Sequence, residues 1–419
     1  MRQSTLIKTT HRQKRIICVP CDFKKHQAII KNAALYRNFL DKIIKESPEL
    51  FPEKIKEGYL MKELRKSRKL NIYQRRILIN KVSYTIKPSC VMPSMTGLTD
   101  EVEKGLYFRQ FNIPYEALAY GFGHDAMYWY RLETQLGRYN LVGSTVKESK
   151  QIPEDVIADE KHTRIRGEKA YIATTCANEC VLGVSVVKKA DEKSLTKAYG
   201  VFKNEVQQIE PNYSPKTVNV DCLQATENSW LNLFPQISII LCFFHLFLGL
   251  KQKVTKDTKV IFATLSEKLW NCYKASNKSS FSQKFRRLSE WATKNSLPES
   301  MLDKIQNFKN KVTFSSHFYQ HPKAYRTSNL LDRLMVRMDR RLFDTQYFHG
   351  TLSQAELRIR AWAIIHNFAP STAVTIRKHD GWQSPAERLN QQRYHKNWLH
   401  NLLVSAHRAE RKRTPPNLL

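Results

Sequence analysis

The chain has 419 residues, of which 42% are hydrophobic, enough to bury two or three domain cores and too many for a chain disordered throughout. Its 69 Lys and Arg against 38 Asp and Glu leave a formal charge of +31, and 20 Phe, 18 Tyr and 7 Trp are distributed among the basic residues. A polyanionic partner is therefore expected, with nucleic acid fitting best. Eight scattered cysteines form no compact disulfide framework, no secretory leader opens the sequence, and the most apolar run, residues 237–250, is too short to span a bilayer. A reduced, cytoplasmic protein with no membrane partner is the expectation.

Residues 1–103 are polar and basic with mixed helical periodicity, as in LIKTTHRQKR at the start and MKELRKSRKLNIYQRR at 61–76, and are expected to form a basic helical N-terminal region. Cys18 and Cys21 have metal-ligand spacing, but no second pair follows at zinc-module distance, so no zinc is expected there. Residues 104–150 read as helix, turn, helix. IPYEALAYGFG and AMYWYRLETQLGR flank a break at His124 and Asp125, with Gly123 at the turn and Ala117, Leu118, Phe122, Met127, Trp129 and Leu132 packing the pair. Tyr130, Arg131 and Arg138 would then face a major groove or its phosphates.

From residue 151 the pattern changes to strands. DVIADEKHTRI, KAYIATTC and CVLGVSVV are rich in β-branched residues and are parted by polar or Gly breaks. A helix, SLTKAYGVFKNEVQQI, precedes a fourth strand, KTVNVD, and a further helix precedes a fifth, ISIILC. This places a mixed five-stranded sheet with packed helices in 151–250, a helical insertion in 251–325 and closing helices in 326–385. A basic tail, expected to be frayed, occupies 386–419. The fold class expected is α/β plus helical regions, with strand and helix order matching the ribonuclease-H-like layout.

Acids fall where such a sheet concentrates chemistry: Asp159 on the first strand, Asp221 ending the fourth, and a third acid on a later helix. Hard divalent cations take oxygen ligands, so three such carboxylates suit metal-assisted phosphoryl transfer. Two residues compete for the third place, Asp332 in TSNLLDRLMVRMDRRL and Glu356 in SQAELRIRAW. Asp339 reads as surface charge.

The pairs Asp159-Glu160 and Arg166-Gly167, with Tyr171 on the second strand, resemble transposases of bacterial insertion elements. The Cys242-x-x-His245 signature, the helical insertion and the Thr327-Ser328-Asn329 triplet are similar to Mutator-like and hAT-like relatives, although Cys222-Leu223 stands where relatives often carry Gly-Trp. The resemblance implies a DDE-type transposase with two Mg²⁺ or Mn²⁺ ions on Asp159, Asp221 and Asp332, acting on double-stranded DNA at terminal inverted repeats and target sites. It favours Asp332 over Glu356, because in the family order the insertion ends just before the third acid. It also implies a homodimer or larger assembly, associated with the nucleoid. Cys242 and His245 are expected to be structural or DNA-facing rather than zinc ligands, and Lys161, Arg164, Arg166, Arg333, Arg337, Arg340 and Arg341 to hold phosphates. The alternatives are an inactive, domesticated DNA-binding protein and a nuclease of the same fold that does not join strands.

Overall fold

A computed structural model describes residues 15–67, 70–93, 95–295 and 297–408. Two compact units emerge. The first draws on 1–152, 204–211 and 353–419, and the second on 153–203 and 212–352.

The first unit opens with β1 (Ile16–Val19), α1 (Phe23–Ile29), α2 (Ala33–Glu46), β2 (Leu60–Lys66), β3 (Tyr73–Ile79) and β4 (Val82–Pro88). The strands form a sheet in the order β1-β4-β3-β2, parallel between β1 and β4 and otherwise antiparallel. The expectation of a helical region over 1–103 is thus corrected: MKELRKSRKLNIYQRR, described except at 68–69, is two strands of a hairpin. Its charges imitate a helix surface, yet Arg75, Ile77 and Ile79 alternate inward with period two. Arg75 is buried, donating to Ile30 O at 2.8 Å and Lys31 O at 2.9 Å, while Arg76 meets Glu63 across the strands at 2.7 Å. The stretch LIKTTHRQKR lies outside the described residues except for Arg15. Cys18 and Cys21 are buried thiols, both pushed up to about 12 by burial.

Next come α3 (Thr99–Phe108), α4 (Tyr115–Phe122), α5 (Ala126–Leu136) and α6 (Leu141–Thr145). Between α4 and α5 the chain turns through Gly123 and His124, both at positive φ. Leu118, Trp129 and Leu132 are buried as expected for a packed helix pair, but Ala117, Phe122 and Met127 face outward. The two helices bury a narrower stripe than the sequence pattern indicates. Arg109 donates to Glu133 at 2.7 Å with both side chains buried, and Tyr115 shares the same carboxylate.

The second unit begins with β5 (Asp155–Ile165), β6 (Glu168–Ala177), β7 (Cys180–Val187), α7 (Glu192–Val206), β8 (Thr217–Val220), α8 (Gln224–Leu233), β9 (Ser238–Leu241) and α9 (Phe243–Lys251). The last residues of α7 fall in the first unit. The sheet order is β7-β6-β5-β8-β9, antiparallel across β7, β6 and β5 and parallel from β5 to β8 to β9. Two-residue turns join the hairpins, Arg166-Gly167 and Asn178-Glu179, each with positive φ at both positions. Such turns match the right-handed twist of the strands they connect.

Helices α10 (Lys259–Tyr273), α11 (Lys278–Lys294), α12 (Glu299–Asn310) and α13 (Val312–Ser316) fill the region between 251 and 325. Then α14 (Asn329–Asp344) returns to β5.

The first unit closes with α15 (Leu352–Phe368), α16 (Ala373–Lys378), α17 (Pro385–Asn390) and α18 (Trp398–Ala406). The frayed tail expected from 386 is corrected as far as 408. In α18, Trp398, Leu399, Leu402, Leu403 and Val404 are all buried, so WLHNLLVSA is a core helix within a basic stretch. The remainder of the tail, 409–419, lies outside the described residues. Arg360 on α15 meets Glu205 at 2.5 Å, both buried, and donates to the carbonyls of Gly137 and Tyr139. Gly137 is required there, because a Cβ would stand 2.0 Å from Leu357 O.

Candidate active site

Strand β5 divides its side chains between two faces, and the site follows from that alternation. On one face Asp159 comes together with His245 of α9 and Asp332 of α14, their ligand atoms all within 4.8 Å of one another. Two residues along the same face, Lys161 meets Asp339 of α14 at 2.5 Å, so Asp339 ties the helix down along the strand. Asp221 follows β8, the strand beside β5, and folds back to accept from its own loop at Leu223 N, 2.9 Å away. It is close enough to repel Asp159, although it stands outside the tightest group.

Electrostatics mark this as a place where charge is held unwillingly. Burial raises the Asp159 carboxyl to about 6, the charge of Asp221 adds to the rise, and His245 works against it. His245 is itself raised to about 9, first by the Cys242 sulfur beside it and then by Asp159 and Asp332. Burial opposes ionisation of Cys242, but His245 and Ser328 outweigh it and lower that thiol.

The triplet Thr327-Ser328-Asn329 has a direct role in the geometry. Ser328 is the N-cap residue of α14, yet its hydroxyl makes no capping bond; it donates to Asp332 Oδ2 at 3.0 Å instead. Ser328 N reaches Cys242 Sγ at 3.3 Å, and the Ser328 hydroxyl lies 3.3 Å from the same sulfur. Cys242, Ser328 and Asp332 are therefore one chain of contacts, and the Cys-x-x-His and Thr-Ser-Asn motifs meet in space.

The opposite face of β5 holds Glu160, which the sequence offers only as half of the Asp159-Glu160 pair. Glu160 accepts from Tyr199 on α7 at 2.5 Å and from Thr226 on α8 at 2.8 Å. Burial raises it to about 7 against those hydrogen bonds. Glu227 is buried on α8, where Lys311 donates to it at 2.5 Å. A cavity of about 840 Å³ opens beside Asp221 and His245, with Lys304, Lys311, Asn307 and Gln252 among its lining. An Asp-Glu pair on a strand necessarily addresses both faces, which is the signal by which Glu160 is recognisable.

The other expected residues are dispersed. Arg164, Arg166, Arg333, Arg337 and Arg340 are exposed, and Arg166 sits in the β5–β6 turn, where its backbone N–H donates to Phe348 O at 2.8 Å. Arg341 is buried. Glu356, the alternative third acid, is a buried residue of α15 in the first unit. In that unit Arg131 and Arg138 are exposed, and Tyr130 is half-buried edge-on against Tyr115. Among the described residues no helix is long and apolar enough to cross a membrane. No protein-family model matches the chain, and no curated protein matches it.

Proposed function

We propose that the second unit is a ribonuclease-H-like catalytic core that carries out metal-dependent phosphoryl transfer on DNA, and that the chain is a DDE-type transposase of an insertion element. The observation that carries the reading is the meeting of Asp159 with Asp332, with Asp221 just past the end of the neighbouring strand and near enough to repel Asp159, in a sheet of order 3-2-1-4-5.

The donor set suits Mg²⁺ or Mn²⁺. Three carboxylates supply hard oxygen ligands, and the Cys242 sulfur, Asp159 and Asp332 favour the protonated form of His245 in the metal-free protein. Asp159, Asp221 and Asp332 would hold two such ions, which when bound activate an attacking water or 3′-hydroxyl and stabilise the leaving oxygen. The protein's own contribution is positioning. Ser328 fixes the rotamer of Asp332, Lys161 and Asp339 hold α14 along β5, and Glu160 ties β5 to α7 and α8. Protonated His245 beside Asp159 offsets part of the carboxylate repulsion until cations arrive.

Arg164 on β5, Arg166 in the turn that follows it, and Arg333 and Arg337 on α14 are the proposed phosphate contacts beside the acids. Joining two element ends to one target requires at least two copies of the core. The helix pair α4–α5 has weaker support as a reader of DNA through Tyr130, Arg131 and Arg138, because residues 99–136 carry six acidic against three basic residues.

The test is divalent-dependent cleavage of DNA bearing the element's terminal inverted repeats, followed by strand transfer. Asp221→Ala should abolish both. Cleavage that persists in Asp221→Ala would remove the metal assignment, and cleavage without joining would favour a nuclease of the same fold.

A further inference from the structure

Thirteen large apolar side chains are exposed among the described residues, and five of them fall within twenty consecutive positions: Phe108, Phe111, Tyr120, Phe122 and Met127. Tyr120 is 95% exposed and Phe111 59%. Phe108, Phe111 and Phe122 form a ridge with Tyr107, and Tyr120 and Met127 are exposed on the same helix pair as Phe122. Phe108 and Phe122 have centroids 5.8 Å apart, Tyr107 lies 6.2 Å from Phe108 and 5.5 Å from Phe111, and Phe122 leans on buried Trp129 at 6.1 Å. At Gly121 and Gly123 nothing stands within 4 Å of where a Cβ would be, so the backbone at the tip of α4 is open to an approaching surface. Scattered apolar residues on a surface need no explanation, but a contiguous aromatic ridge marks a site of association.

Charge identifies what it associates with. Residues 99–136 carry a net −3 inside a chain of +31. The Arg109–Glu133 pair is buried, which leaves Asp100, Glu101, Glu116 and Asp125 as the exposed acids of this segment, with Lys104 and Arg131 as its exposed cations. Phosphate is repelled by such a surface, whereas a basic protein surface is attracted to it, and this chain carries one of its own. We propose that the aromatic ridge of α3, α4 and α5 is a self-association surface that docks against the basic surface of a second copy of this chain. Ridge against ridge would oppose like charges, so the contact is heterologous, and copies add head to tail unless the rotation between them closes a ring. This inference stands apart from the catalytic reading and holds whatever reaction the second unit performs.

Sedimentation velocity on the nuclease-treated full chain at low salt tests it. The wild type should gain mass with concentration. Phe111→Ser/Tyr120→Ser should associate at least roughly tenfold more weakly, because two exposed anchor rings are removed. Glu116→Lys should weaken association at low salt and approach the wild type at high salt, where charge is screened. Circular dichroism establishes that each variant is folded. If the ring variant does not fold, Glu116→Lys, an exposed change in the first turn of α4, decides the matter alone. A wild type that stays monomeric, a folded ring variant that associates like the wild type, a Glu116→Lys variant unchanged at low salt, or an association abolished by the nuclease would each overturn the proposal.

Discussion

Replacing Asp159 with Asn should stabilise the metal-free protein while removing its response to divalent cations. The side chain is largely buried between Asp221 and Asp332, and its titration is displaced upward from 3.8 to about 6. The folded state therefore binds this proton more tightly than the unfolded chain does. Stability is highest below the unfolded value, declines as pH rises from 3.8 to about 6, and above that carries the full cost of the charge. That displacement corresponds to about 3 kcal/mol, and Asn retains the acceptor for Glu160 N, which Asp159 Oδ1 holds at 2.8 Å. For a unit of this size the gain is roughly 6–12 °C in Tm. Thermal melts followed by circular dichroism in EDTA at neutral pH measure it, and at about pH 4 the two proteins should melt together, because the wild-type carboxyl is then neutral. Added Mg²⁺ should raise the wild-type Tm and leave the variant unmoved. A variant that melts at or below the wild type in EDTA at neutral pH would refute the picture of a carboxylate held against its own charge.

Two further outcomes follow from the same geometry. Affinity for Mn²⁺, measured by titration calorimetry, should fall as pH drops through about 6, where Asp159 takes up its proton, and an affinity flat across that range would count against Asp159 as a ligand. Ser328→Ala deprives Asp332 of its donor and should cost about 10-fold to 100-fold in metal affinity, with Ser328→Thr restoring most of it; equal affinities in all three proteins would reduce the hydroxyl to a bystander.

The five-stranded sheet is legible in the sequence because β5, β6 and β7 are long, rich in β-branched residues and joined by two-residue turns, and because β8 and β9 are short apolar runs between helices. The N-terminal sheet is not. Its edge strand β2, LMKELRK, is polar on both faces, and β3 hides Arg75 in the core against backbone carbonyls, so local charge spacing imitates a helix. In α18 the opposite holds: His400 and Asn401 are buried inside a basic stretch, so their polarity conceals a core helix. Around the acids, Asp159 and Asp221 can be found from strand order alone. The role of Ser328 depends on the start of α14 meeting the start of α9 in space, a distance of 86 residues along the chain that no local pattern reports.

The first unit is assembled from separated stretches, and this governs the order in which the protein can mature. His395 meets Asp22 at 3.0 Å and His400 meets Ser89 at 2.8 Å, contacts that join parts of the chain more than 300 residues apart. During synthesis the second unit has all its residues outside the ribosome while the first still waits for α15 to α18, with β1 to β4 already made and their partners absent. A message truncated near codon 352 would thus yield the acid-bearing unit with an unfinished companion. Such a product would be a natural target for chaperones and proteases, and limited digestion of nascent chains would show the second unit becoming resistant first.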